Sequence, residues 1–260
     1  MRRVLVIGIG AGDPEQVTVQ AIRAINRADV VFVTEKGSEA DELARVRREI
    51  LARYREDGRE PRVVALADPP RDRTASAYRE AVDDWRHRRA DLWERALVDE
   101  LAGGQTGAFL VWGDPAIYDS TIAVLEEILA RGRVALDYEV IPGISSIQAL
   151  AARHRIPWAR VGGAVQITTG RRLAAGLSQE TDDVLVMLDS GCAFSTVAAE
   201  DVEIYWGAYV GTDDEILVSG RVHEVAAEIE RRRRDARERK GWIMDSYLLR
   251  RPPTTAPRAR

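Results

Sequence analysis

Residues 4–15 read Val4-Leu5-Val6-Ile7-Gly8-Ile9-Gly10-Ala11-Gly12-Asp13-Pro14-Glu15. Four aliphatic residues ended by a glycine predict a short strand buried on both faces, as in a parallel sheet covered by helices. The three glycines permit positive φ and let a ligand approach the main chain closely. Asp13 as N-cap and Pro14 at the first helical position predict a helix start, with the helix running over 15–27. A dinucleotide-binding turn is the competing reading. It fits poorly, because the third glycine comes one residue early. The Asp13 carboxylate would also occupy the free amides and repel a pyrophosphate.

Working outward, the chain alternates. Strands are predicted at 30–34, 62–67, 107–112 and 135–141, and helices at 38–55, 75–101 and 120–131. The 75–101 helix takes Tyr78, Val82, Trp85, Leu92, Ala96 and Leu97 as its buried stripe. Strand–helix–strand alternation predicts an open, mainly parallel sheet over 1–143, with a long helical insert at 36–101. Pro142-Gly143 breaks the pattern, and a second α/β domain is expected over 144–250. Its strands are predicted at 164–168, 184–189, 202–209, 215–219 and 242–249, with a helix at 222–239. The 211–214 link is too short for a helical crossover, so the second sheet must be mixed. The proline-rich stretch 251–260 is expected to be a disordered tail.

Composition narrows the class. The 260 residues carry a formal net charge of −4, with 45% apolar and 31% charged residues, the profile of a soluble globular protein. A net-acidic chain gives no reason to expect nucleic acid or an acidic membrane as partner. One cysteine, Cys192, excludes an internal disulfide and a cysteine-cluster metal site, and the three histidines have no ligand spacing, so no metal is expected. No segment approaches the roughly 20 apolar residues of a membrane span. The first residues are too short an apolar run for a signal peptide, so a cytoplasmic location is expected.

The opening motif has an echo. The fourth strand ends in Val111-Trp112-Gly113-Asp114-Pro115-Ala116-Ile117-Tyr118, a second Gly-Asp-Pro before a helix. The fifth ends in Ile141-Pro142-Gly143-Ile144-Ser145-Ser146. Parallel strands bring such loops together on their C-terminal edge, where α/β proteins bind ligands. In this order and spacing, and with Tyr209-Val210-Gly211-Thr212-Asp213-Asp214-Glu215 near the end, the sequence resembles the tetrapyrrole methylases of cobalamin and sirohaem biosynthesis.

The resemblance implies two α/β domains with an active-site cleft between them, S-adenosylmethionine as methyl donor with S-adenosylhomocysteine as its product, and a homodimer. Carried over by position, Pro14, Trp112, Gly113, Asp114, Ile117, Ser145 and Ser146 would contact the cofactor. From the second domain Leu188, Ala208 and Tyr209 would do so. The charged insert 36–101, with Thr34-Glu35-Lys36-Gly37 and 78–85, is similar to that of the family branch that methylates C1 of precorrin-5 and releases acetate. The alternatives are another precorrin or uroporphyrinogen methyltransferase of the family and, further off, an NAD-dependent oxidoreductase. A binding module that has kept the cleft and lost the chemistry is the non-enzymatic alternative. One departure is visible: the usual long helix between Asp189 and Glu200 is missing.

Methyl transfer from a sulfonium needs alignment and a dry pocket more than a strong base. Deacetylation needs a water delivered to an acetyl carbon, for which Asp114, Tyr118 and Glu35, with Asp119, are the candidate catalytic groups. Asp13 and Asp114 read as helix caps ahead of any acid–base role. A tetrapyrrole carries many carboxylates, so cations must be concentrated locally. Arg71, Arg73 and Arg79 are the substrate-binding candidates, planar forks suited to carboxylates. Arg86, Arg88 and Arg89 read either as further cations on the substrate side or as the solvated face of a long helix; residues 231–234 read as a solvated face, and His154 and Cys192 as packing residues.

Overall fold

The computed structural model describes residues 1–35, 39–56, 61–70, 78–177, 181–197 and 201–252; the side chains of 35, 39–42, 78 and 79 lie outside that description. The opening aliphatic run forms β1 (Arg2–Gly8), with Val4, Leu5, Val6 and Ile7 all buried. Val4 and Val6 pack into one cluster, Leu5 and Ile7 into another, because successive side chains of a strand point to opposite faces. Both faces of β1 are therefore covered.

The first unit, Met1–Ser145, continues through α1 (Val19–Arg27), β2 (Val30–Glu35), α2 (Glu39–Tyr54), β3 (Arg62–Ala67), α3 (Tyr78–Glu100), β4 (Thr106–Val111), α4 (Thr121–Arg131) and β5 (Leu136–Ile141). The strands form one all-parallel sheet in the order β3-β2-β4-β1-β5. From β1 the chain crosses by α1 past β4 to β2; from β4 it crosses by α4 past β1 to β5. Right-handed crossovers in opposite directions put α1 and α4 on opposite faces. The chain therefore leaves the neighbouring strands β1 and β4 towards helices on opposite faces. That is the switch point at which open α/β sheets bind ligands.

Two details differ from the sequence reading. The helix expected from residue 15 starts at Val19: Asp13 caps only a single 3-10 turn, Pro14–Gln16. Val17 and Thr18 are extended, and Thr18 Oγ1 accepts the Ala21 amide as the true N-cap. Two consecutive β-branched residues favour extended backbone, and a hydroxyl favours the cap. On α3 the buried line runs Trp85, Arg89, Trp93, Leu97, each four residues after the last. Val82, Leu92 and Ala96 are only half-buried. Arg89 is thus interior, not on a solvated face.

The second unit, Ser146–Arg260, contains α5 (Ser146–His154), β6 (Val165–Thr169), α6 (Gly170–Leu173), β7 (Asp183–Met187), β8 (Glu203–Ala208), β9 (Ile216–Arg221), α7 (Val222–Lys240) and β10 (Asp245–Arg250). The units divide just beyond the expected Pro142-Gly143 turn. The sheet is mixed, order β6-β7-β10-β8-β9, with β6 and β7 parallel and the other pairs antiparallel. Gly241, at φ 78°, ends α7, so the last strand begins at Asp245 rather than at 242. A 3-10 turn, Ala193–Thr196, follows β7 where a long helix was missed. The expected tail lies outside the described residues beyond Pro252. Among the described residues no helix is long and apolar enough to cross a membrane.

Candidate active site

Three loops leave the C-terminal edge of the first sheet and meet backbone to backbone. The Ile9 amide donates to Val111 O at 2.9 Å, extending the β1–β4 ladder. Beyond it Gly10 and Gly113 form an isolated bridge, in which Gly113 N donates to Gly10 O at 2.7 Å. Gly10 and Gly113 have φ of 86° and 69°, a region that suits glycine. Gly8 lies so close to the third loop that a Cβ there would stand 2.6 Å from Gly143 N and 2.8 Å from Gly113 O. No side chain fits between these chains.

Asp114 ties the second loop to the third. Its Oδ1 accepts from Ala116 N at 2.8 Å and its Oδ2 from Gly143 N at 2.9 Å. It caps no helix: α4 begins at Thr121, with Ser120 as N-cap and Asp119 Oδ1 accepting the Thr121 amide at 2.7 Å. Asp13 likewise holds its own loop, accepting from Glu15 N at 2.8 Å. From α2, Tyr54 OH donates to Pro14 O at 3.0 Å and so pins the first loop. Two carboxylates engaged by main-chain amides leave no nest for a pyrophosphate.

Around this core the expected residues are placed as follows. Trp112 is half-buried, and its indole N–H is buried without an acceptor among the described residues. Ile117 is half-buried, Ser145 is buried, and Ser146 begins α5. Tyr118 is 48% exposed and held at φ 53°. A bulky residue at positive φ is strained, and such strain clusters at functional sites. The main chain of Glu35 ends β2 on the same edge; its side chain is outside the described residues. Arg71 and Arg73 also fall outside them, as does the side chain of Arg79.

The structure supplies cations that sequence reasoning misplaced or passed over. Arg89 lies between the Trp85 and Trp93 rings, 4.7 and 4.8 Å from their centroids. Its Nη1 donates to Ser120 Oγ at 2.7 Å, and its Nε sits 3.1 Å from Asp68 Oδ1 as a close ion pair. Burial lowers its proton affinity, and Asp68 and Asp119 oppose that. Arg89 thereby anchors α3 to the segment between the second loop and α4. Arg47 of α2 reaches the sheet edge itself, where its Nε donates to Leu110 O at 3.0 Å. Arg86 and Arg88 pair with Asp83 and Asp84 on their own helix.

In the second unit β7 and β8 both run antiparallel to β10, so their C-terminal ends share one edge. Leu188, 65% exposed at φ 54°, follows β7, and Tyr209, at φ 49°, follows β8. The Tyr209 side chain belongs to the interior: its OH donates to Trp242 O at 2.6 Å. Ala208 is fully buried. Any ligand contact at these two positions is therefore limited to what the main chain offers. Beside Leu188, Asp189 accepts from Gly191 N, Ala193 N and Tyr247 OH, at 3.0, 2.7 and 2.6 Å. Arg233 donates to Asp189 O at 2.7 Å and to Asp245 Oδ2 at 2.9 Å. Desolvation raises the pKa of Asp245, with Arg233 and Trp206 opposing, and desolvation followed by Asp189 raises that of Tyr247. Arg233 is a second correction, since 231–234 were read as solvated. Ile229, Arg233 and Ala236 share the buried face of α7, a spacing that was legible. A cavity of about 650 Å³ opens here, lined by Cys192, Arg234 and Arg237 among others.

With this geometry in place, similarity to known proteins decides the family. The sequence profile of the Tetrapyrrole (Corrin/Porphyrin) Methylases matches residues 3–226. The chain belongs to the tetrapyrrole methylases. It is therefore a methyltransferase, and the oxidoreductase reading falls. A precorrin-6A synthase [deacetylating] from Sinorhizobium sp is 53% identical over 252 residues, covering 96% of this chain and 95% of the relative. The crystal structure of the cobalamin-synthesis-related protein CobF from Corynebacterium diphtheriae matches with a TM-score of 0.82 and 36% identity, over 96% of this chain and 98% of that one. Uroporphyrin-III C-methyl transferase from Thermus thermophilus, complexed with S-adenosyl homocysteine, shares the fold at a TM-score of 0.58 and 18% identity, over 95% and 91%. Among tetrapyrrole methylases, then, this chain is similar along nearly its whole length to an enzyme that removes an acetyl group.

Proposed function

We propose that this chain methylates C1 of precorrin-5 with S-adenosylmethionine and releases acetate, giving precorrin-6A. The observation that carries the reading is the 53% identity, over nearly all of both chains, to a deacetylating precorrin-6A synthase. The loop geometry fits it. A cofactor that carries an ammonium and a sulfonium beside one carboxylate suits an edge made of main chain and two carboxylates, and an anionic pyrophosphate does not. The Trp112 N–H, without an acceptor among the described residues, offers a donor, and Tyr118 and Ile144, 48% and 36% exposed, offer apolar surface.

When bound, S-adenosylmethionine supplies a methyl group on sulfur, ready for in-line transfer to a carbon nucleophile. The chain's own residues position it. Pro14, Trp112, Gly113, Asp114, Ile117, Ser145 and Ser146 are the proposed contacts. Asp114 acts by holding the second and third loops in register, since both of its oxygens already accept amides. Orientation is the larger share of the catalysis available here. For deacetylation, hydroxide from water adds to the acetyl carbon, the carbon–carbon bond to the ring breaks, and its electron pair stays on the macrocycle. Tyr118 and Glu35 are the proposed groups that orient that water. A homodimer and a cytoplasmic location are proposed with the family. Calorimetric titration with S-adenosylhomocysteine and with NAD tests the cofactor: binding of the first alone is expected, and binding of NAD alone would overturn the reading.

A further inference from the structure

β2 and β4 pair only at Val30, Val31 and Phe32, after which β2 continues against β3 alone. The two strands part before the C-terminal edge. The Leu110 carbonyl, which a continued ladder would give to a β2 amide, must find another donor. Arg47 supplies it through Nε at 3.0 Å. That bond uses one of the five guanidinium N–H groups. Burial lowers the proton affinity of Arg47, with the Asp119 charge opposing. Asp119 itself is exposed and bonded to the Thr121 amide. Arg89 and Arg131 of the same unit each face carboxylates within ion-pair distance. Arg47 has none among the described residues. A partly dehydrated guanidinium with spare donors, at a sheet edge next to the second loop, is built to receive an anion.

We propose that Arg47 is a specificity-determining residue, whose terminal nitrogens bind a peripheral carboxylate of the tetrapyrrole in the gap between β2 and β4. This rests on the reading that the substrate is a polycarboxylate macrocycle. Arg47 comes from the insert, so it sets which tetrapyrrole is held while the three glycine loops hold the methyl donor.

Two substitutions separate this role from a structural one. In Arg47→Gln the side-chain nitrogen stands at the same remove from Cα as Nε, so the bond to Leu110 O is kept and the charge is lost. In Arg47→Lys the charge is kept and that nitrogen is lost. Steady-state turnover of precorrin-5 should show the Gln variant with a KM raised about 10- to 100-fold. Its kcat should stay within about twofold of wild type. Its melting temperature should lie within about 2 °C of wild type, with S-adenosylhomocysteine affinity unchanged. The Lys variant should recover part of the KM. Unchanged KM in Arg47→Gln, or a Lys variant worse than Gln in both KM and melting temperature, overturns the proposal. The bond to Leu110 would then be all that Arg47 does. If Arg47→Gln does not fold, Arg47→Met, which removes the charge without adding a polar group, decides: a raised KM at unchanged kcat supports the proposal, and an unchanged KM overturns it. A wild-type enzyme that binds S-adenosylhomocysteine but does not turn over precorrin-5 overturns the substrate reading itself, whatever the variants do.

Discussion

Gly143→Ala isolates the packing of the three loops. Gly143 has no positive φ, so alanine costs nothing in backbone conformation and the whole effect is steric. Its Cβ would stand 2.8 Å from both Cα and the carbonyl carbon of Gly8, and closer still to Gly113 O. Each of these is a main-chain atom in a bonded loop: Gly113 N holds Gly10 O at 2.7 Å, and Asp114 Oδ2 holds Gly143 N at 2.9 Å. No flexible side chain can yield, so the loops must part. Overpacking of this kind costs about 1–3 kcal/mol. For a chain of this size that lowers the melting temperature by roughly 2–12 °C. Methyl transfer should suffer more, because a displacement of about 1 Å at a positioning loop costs on the order of 100-fold in reaction rate. Scanning calorimetry and a methyl-transfer assay read the two effects. A normal rate at an unchanged melting temperature would mean that the loops accept the Cβ. Gly113→Val is a poorer probe. At φ 69° a β-branched residue strains the backbone as well as the site.

Asp114→Asn offers an amide nitrogen to one of two N–H groups and should destabilise the first unit by about 1–3 kcal/mol. Urea melts would register it, and an unchanged midpoint would remove Asp114 from its pinning role. His154 concerns pH: desolvation lowers its pKa from 6.5, opposed by the bond with Trp206 O and by Glu215. A histidine depressed in the folded state contributes stability fully above pH 6.5 and loses it as pH falls through that value. Denaturant melts at pH 7.5 and 5.5 should therefore show wild type losing more stability than His154→Gln. Equal losses would show that His154 is not the group that titrates.

The fold was legible because its signals are local. Val4 to Ile7 alternate between two cores, and the Gly113-Asp114 and Pro142-Gly143 turns end strands where glycine was needed. The short 211–214 link demanded the mixed sheet, which β8 and β9 form. What escaped depends on tertiary partners. Arg89 and Arg233 look like surface charges in sequence, and only Asp68, Trp85 and Trp93 around the first, or Asp245 and Asp189 around the second, make their burial tolerable. Arg89 sits in register with Trp85 and Trp93 four residues on either side, a signal that polarity masked. Arg47 could not have been found, since its role depends on where β2 leaves β4. Asp114 was expected as a cofactor contact, an acid–base group or a cap; the structure shows a further role, joining loops distant in sequence.

On this reading the methylase couples methyl transfer to loss of an acetyl group. Incubating the enzyme with methyl-labelled S-adenosylmethionine and precorrin-5, and measuring labelled macrocycle by mass spectrometry beside acetate by enzymatic assay, tests it directly. One acetate should appear for each methyl group transferred. Methylated macrocycle without stoichiometric acetate would contradict the account and place the chain with the sister methylases that leave the acetyl group in place.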